Sequence, residues 1–279
     1  MNISPARTSA FDILLRIEKD KAFSSVLLPQ FEATLEAKDA SLCHELVLGC
    51  LRRQLYLDRL IQVFTKGKKV DREVRIAIRL GLYQIYFLDR VPEYSAINES
   101  VNLVQRAKKT SAKGFANAIL RKATRERPVL VFADDLERIS TETSHPRWLI
   151  EKWIGQFGPE ETEKLAAAND RPAETAFRFI NSNSLGHDRP DGWRRSNFVE
   201  GCYLVGPNDR SVVELAASGV IYLQDEASQM VARAVSGAKI LDVCAAPGGK
   251  TGIVAGRDGV GLFTVAGDLH WHRTEMLAL

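Results

Sequence analysis

The chain has 279 residues, 45% apolar and 26% charged, with a formal net charge of +3; this suits about two domains and excludes collagen, a coiled coil or a disordered tail. No run approaches the roughly 18 consecutive apolar residues of a membrane span, and the N-terminal MNISPARTSAFDILLRIEKDK lacks the basic-then-apolar order of a signal peptide. Four cysteines (Cys43, Cys50, Cys202, Cys244) form no CxxC pair, so a reducing, cytoplasmic setting is expected.

The first 128 residues read as helices. Ser4-Pro5 is an N-cap followed by Pro at the first helical position, with Phe11, Leu14 and Leu15 at helical spacing. Asp39 or Ser41 can cap a second segment carrying Leu42, Leu46, Val47 and Cys50 on one stripe. Asp71 can cap a third, where Val74, Ile78, Leu82, Ile85 and Tyr86 repeat at three and four. Pro92 interrupts, Ser95 restarts a helix with Ile97, Val101 and Val104, and Ser111 begins the last, with Phe115, Ile119 and Leu120 inward. Five or more helices with short links make an all-α bundle.

Residues 1–128 hold 23 Lys and Arg against 14 Asp and Glu, a balance of +9, whereas residues 129–279 hold 15 against 21, a balance of −6. One basic stretch holds Lys66, Lys68, Lys69, Arg72, Arg75 and Arg79. A second holds Arg106, Lys108, Lys109, Lys113, Arg121, Lys122, Arg125 and Arg127. Lys and Arg on phosphates supply sequence-independent affinity for nucleic acid; the alternative is a pair of solvated faces.

Beyond Arg127-Pro128 a helical stretch covers 145–168, ETAFRFINS alternates like a strand, and the span from Asn181 to Trp193 reads as loop. Short strands are expected at Cys202–Val205 and Val220–Leu223. A helix from Ser228 to Val235 then leads into KILDVC, a short apolar run suited to a buried parallel strand. AAPGGKT breaks that strand, a short helical piece follows, and GLFTVAGD forms a second strand ending at Asp268. Ligands of open α/β sheets bind at such strand ends.

Gly248 and Gly249 give backbone access to a ligand, and Asp268, 20 positions after Gly248, suits a ribose diol. Gly249-Lys250-Thr251 ends like a Walker A loop, but Cys244 stands where its first Gly is required, and the G-x-G-x-x-G dinucleotide pattern is absent. A loop of the S-adenosylmethionine (SAM) type remains, gripping an amino acid and a ribose.

DVCAAPGGKT, preceded by QDEAS, closely resembles the cofactor loop of RNA cytosine-5 methyltransferases. RLGLYQIYFLDRVPEYSAINESVNLV and KGFANAILRKATRER resemble the NusB-type RNA-binding domain. Together they resemble the RsmB (Sun/Fmu) family of bacterial small-subunit ribosomal RNA cytosine-C5 methyltransferases. The resemblance implies SAM as cofactor, held by Cys244, Ala245, Ala246, Pro247, Gly248, Gly249 and Lys250, with Asp268 on the ribose. It implies ribosomal RNA as partner. The candidate RNA-binding residues are Lys66, Lys68, Lys69, Arg72, Arg106, Lys108, Lys109, Lys113, Arg121, Lys122 and Arg125. Asp225 and Ser228 fall in the QDEAS segment, either shaping the site or touching the ligand. His270 and His272 read as surface residues at a helix start; no metal, no membrane and a monomer are expected.

The family's chemistry is a covalent adduct: a cysteine thiolate adds to carbon-6 of cytosine, carbon-5 takes the methyl group, and a second cysteine assists release. Those cysteines lie in PCS- and TCS-type motifs downstream of the cofactor loop. The present sequence has no Pro-Cys dipeptide and ends eleven residues after Asp268. A C-terminally truncated member is therefore expected, with no catalytic residues before 279 and no turnover alone. The expected architecture is α + α/β. It comprises a NusB-like helical domain (1–128), a small α/β connector (129–215) and the start of a Rossmann-like methyltransferase domain (216–279), this last part prone to aggregate. The alternative is a non-catalytic NusB-like RNA-binding or antitermination module.

Overall fold

The computed structural model describes residues 3–180, 192–206, 209, 211–257 and 259–277, and the chain divides into two compact units, Met1–Arg171 and Pro172–Leu279. The first unit is helical: α1 (Pro5–Asp20), α2 (Ser24–Glu32), α3 (Ala37–Arg52), α4 (Gln54–Phe64), α5 (Arg72–Phe87), α6 (Glu93–Arg106), α7 (Lys113–Ala123), α8 (Asp135–Glu142) and α9 (Arg147–Ala168). Helix α5 is the axis of the bundle, because α1, α3, α4, α6 and α7 all pack on it. The sequence pattern gives α5 one apolar stripe; burial instead encircles it from Ile76 to Gln84, while Ile85 and Tyr86 are half-covered. A helix apolar nearly all round belongs at a centre.

That central position corrects the sequence reading of Arg79. Its side chain is 1% exposed, so it is no part of a surface basic stretch. The guanidinium donates to both oxygens of Asp58, at 2.7 and 2.8 Å, and to Glu18 Oε1 at 2.6 Å. Burial opposes its charge, but Asp58 and Glu18 hold the guanidinium pKa above its ordinary value. Burial likewise pushes the Glu18 carboxyl up, and the hydrogen bonds and charge of Arg79 and Arg75 outweigh it, leaving Glu18 below its ordinary value.

Helix starts fall close to the expected capping residues, with different chemistry. Asp71 precedes α5, yet its carboxylate accepts from Lys109 Nζ at 2.7 Å and not from its own helix. Asp39 and Ser41 lie inside α3, Ser95 lies inside α6 after Pro92, and Ser111 sits in a 3-10 turn ahead of α7. Helices α2, with Pro29 inside it, and α8, two turns long, gave no strong periodic signal.

Helices α8 and α9 join the first unit, so the connector expected over 129–215 does not form one body. Tyr56 N donates to Ser144 Oγ at 3.1 Å, Arg53 pairs with Asp170 at 2.9 Å, and Arg59 donates to Val131 O at 2.7 Å. The other expected boundary, at 215/216, cuts a continuous sheet. Strands β1 (Thr175–Phe179), β2 (Arg194–Arg195), β3 (Cys202–Val205) and β4 (Ile221–Leu223) form an antiparallel sheet in the order β2-β3-β1-β4. One face buries Phe177, Tyr203, Val205, Val212 and Ile221, with α10 (Ser211–Ala217) against it. The loop expected at Asn181–Trp193 lies, up to Asp191, outside the described residues.

The rest of the second unit runs α11 (Glu226–Ala234), β5 (Lys239–Asp242), α12 (Gly249–Ala255), β6 (Phe263–Ala266) and a last turn, α13 (Trp271–Thr274). Strands β5 and β6 are parallel, with Leu241 opposite Val265. Helices α11 and α12 pack together and bury Ala232, Ile253 and Val254. The strand–turn–helix–strand order expected at 239–268 is the one observed.

Candidate functional site

The turn after β5 is built from small residues tied to both strand ends. Asp242 Oδ1 accepts from Cys244 N at 3.2 Å, and Oδ2 accepts from Thr251 Oγ1 at 2.7 Å, so one carboxylate joins strand, turn and helix. Ala245 N donates to Gly267 O at 2.9 Å and Gly267 N to Asp242 O at 2.8 Å, which brings Asp268 beside the turn. Gly248 stands at φ +102°, in the left-handed region that favours glycine. At Gly249 the constraint is contact: a Cβ there would lie 2.8 Å from Tyr222 Cε1.

Tyr222 is itself held. Arg178 lies over its ring, 5.0 Å from the centroid, donates to Gln224 Oε1 at 3.1 Å, and makes a long contact of 3.5 Å to Gly249 O. Burial lowers the Arg178 pKa, joined by the charge of Arg233 and opposed by Tyr222. Nothing local to the loop motif marks Tyr222 or Arg178, and sequence reasoning missed both. Asp225 caps α11 by accepting from Ala227 N and Ser228 N, at 2.8 and 3.3 Å.

Asp268 has a side chain 4% exposed. Its Oδ1 accepts from His270 N at 3.3 Å, whereas Oδ2 is buried without a hydrogen-bond partner among the described residues. Arg273 approaches that oxygen at 3.7 Å and donates to Ala246 O at 2.9 Å. Ala245, Ala246 and Gly249 are buried; Cys244, Pro247 and Lys250 are exposed. A cleft of about 280 Å³ beside β5 is lined by Cys244, Lys250, Asp242 and Thr251 with apolar neighbours, and Asp268 is not part of its wall.

The other thiols are not poised for attack. Burial, ahead of nearby acids, pushes Cys43 up to about 11 and Cys50 up to about 12, and it also raises Cys202. His270 caps α13, and the side chain of His272 lies outside the described residues. Among the described residues no group of three or more His, Cys, Asp and Glu could hold a metal ion, and no helix is long and apolar enough to cross a membrane.

The eleven candidate cations of the helical unit divide by their partners. Arg106 pairs bidentately with Asp12, at 2.6 and 2.8 Å. Lys109 pairs with Asp71, Lys122 with Glu126 and Arg72 with Glu18. Lys113 and Arg121 donate to the side-chain oxygens of Gln105 and Asn117. Lys66, Lys68, Lys69, Lys108 and Arg125 make no ion pair at contact distance among the described residues.

The model of the NusB family matches residues 4–125. "Probable ribosomal RNA small subunit methyltransferase B" of Bacillus subtilis is 30% identical over 99% of this chain and 65% of its own length. "Ribosomal RNA small subunit methyltransferase B" of Pseudomonas putida is 32% identical over 88% of this chain and 58% of its own. The chain thus spans less than two thirds of the length of these relatives. The crystal structure of PH0851 matches with a TM-score of 0.65 and 21% identity, covering 100% of this chain and 66% of that one, a likeness of fold.

Proposed function

The chain is a homologue of ribosomal RNA small subunit methyltransferase B with a NusB-family domain at its start, and from that premise we propose that it binds SAM on its β5–β6 unit and ribosomal RNA on its helical unit. The whole protein then methylates carbon-5 of a cytosine in small-subunit ribosomal RNA. The observation that carries the cofactor assignment is Asp268 Oδ2. A buried carboxylate oxygen without a hydrogen bond is costly, and a ribose hydroxyl is a donor of the kind it lacks. Gly249 fits the same reading, because Tyr222 already fills the space a side chain would take.

In this reading Asp268 orients the ribose, and the turn from Cys244 to Lys250 holds the amino-acid end through main-chain groups. When bound, the sulfonium supplies an electrophilic methyl group. Asp242 contributes by holding the turn, since both its oxygens are occupied within the protein. An RNA-binding module without cofactor is disfavoured because similarity to the methyltransferases runs through 99% of the chain and does not stop at residue 125.

Equilibrium dialysis of the purified chain against radiolabelled SAM tests the assignment. Asp268→Asn should weaken binding at least about tenfold, or about 1.4 kcal/mol, with an unchanged circular dichroism spectrum. Equal affinity in the two proteins would remove Asp268 from the site.

A further inference from the structure

The helical unit carries a cleft of its own. Helix α4, the turn from Thr65 to Val70, the start of α5 and the α8–α9 junction enclose about 630 Å³. Arg59, Lys68, Lys69, Arg75 and Arg147 line it. Two acids share the wall, and both are engaged. Asp58 is taken up by Arg79 through both oxygens, and Glu137 accepts from Ala133 N and lies 3.6 Å from Arg59.

The cations are unevenly satisfied, and Arg147 lies 3.5 Å from Asp134. Arg59 spends its terminal nitrogens on Gln62 Oε1 and Val131 O, and Arg75 donates through Nη2 to Glu18. The Nε atoms of both arginines are buried without a hydrogen-bond partner among the described residues. Lys68 and Lys69 are exposed at the rim and make no ion pair at contact distance among the described residues. Two buried guanidinium donors and two exposed ammonium groups around one cavity, one of them also acting on Asp71, suit an anion with several acceptor oxygens. Among the residues that line the cleft there is no aromatic ring, so it lacks the aromatic platforms on which successive bases stack.

We propose that this cleft seats the phosphodiester backbone of an RNA strand, gripping phosphates and reading no bases. The proposal rests on the RNA-binding reading above and deepens it by naming where the strand is held. It also ranks the candidate cations: Lys68 and Lys69 act here together with Arg59, Arg75 and Arg147, which were not among them.

The test is fluorescence anisotropy of the full chain with a labelled single-stranded RNA of mixed sequence and with oligo-U, from 50 to 300 mM salt. The doubly substituted Lys68→Gln/Lys69→Gln protein, changed at exposed positions that leave the fold intact, should bind both RNAs about tenfold more weakly near 0.15 M salt. Its salt slope should be shallower by about 1, given roughly 0.7 per phosphate contact on single strands. Arg147→Gln should act in the same direction. If the unsubstituted chain binds RNA and the variants match it in affinity and slope, the cleft is not the seat and the RNA reading survives. If the unsubstituted chain binds no RNA, the underlying reading fails as well. Inorganic phosphate at a few millimolar that protects the cleft from arginine modification, with RNA affinity unaltered in the variants, would mark a small-anion site and overturn the proposal.

Discussion

Asp242 ends β5 and Asp268 lies two residues beyond the end of the parallel strand β6, and their oxygens differ in employment. Both oxygens of Asp242 are spent on Cys244 N and Thr251 Oγ1, which makes it a structural clamp. Asp268 keeps one buried oxygen in reserve. Both acids are visible in the sequence, but only the hydrogen-bond inventory separates the one whose oxygens are both occupied from the one with an unbonded oxygen. The same reasoning at Glu18 yields a pH dependence. Its carboxyl is held below the ordinary value of 4.5, so its contribution is complete above about pH 5 and is lost as pH falls through and below 4.5. Glu18→Gln should cost about 2 kcal/mol at pH 7, the worth of a hydrogen bond to a charged partner, and should flatten the fall in melting temperature between pH 5 and 3. Thermal melts followed by circular dichroism at 222 nm decide it; an equally steep acid limb in the variant would take Glu18 out of the account.

At the scale of elements, the β5–turn–α12–β6 unit was legible because its apolar runs, small-residue turn and terminal acid follow one another within 30 residues. The bundle was legible through helical spacing. What the sequence hid was remote: Gly249 answers to Tyr222, 27 positions upstream on another strand, and the burial of Arg79 follows from neighbours on α1 and α4. The domain limits were hidden likewise, since Arg53–Asp170 and the β1–β4 pairing join segments that look separable on paper. Gly249→Ala should destabilise the second unit by about 1–3 kcal/mol through overpacking against the ring. The cost should shrink in a Tyr222→Val background. A double-mutant cycle by denaturant titration measures the coupling, and equal costs in both backgrounds would refute the steric explanation.

For the whole molecule, the boundary at Arg171/Pro172 sets what can fold alone. A fragment of residues 1–171 retains the packing of α8 on α4 and the Arg53–Asp170 pair, and it should melt at least about 5 °C above a fragment of residues 1–128; equal melting temperatures would show those contacts to be idle. The second unit presents Leu241, Val243, Phe263 and Val265 to solvent, an apolar strand surface of the kind that invites association. Its loop has a further property. Tyr222 and Arg178, from the antiparallel sheet, act as a mould against which the Gly249 turn is cast. The loop is therefore not portable. Residues 239–268 grafted onto another protein would carry the motif and leave behind the surface that gives it its shape, so the smallest transferable form of the loop begins near Thr175.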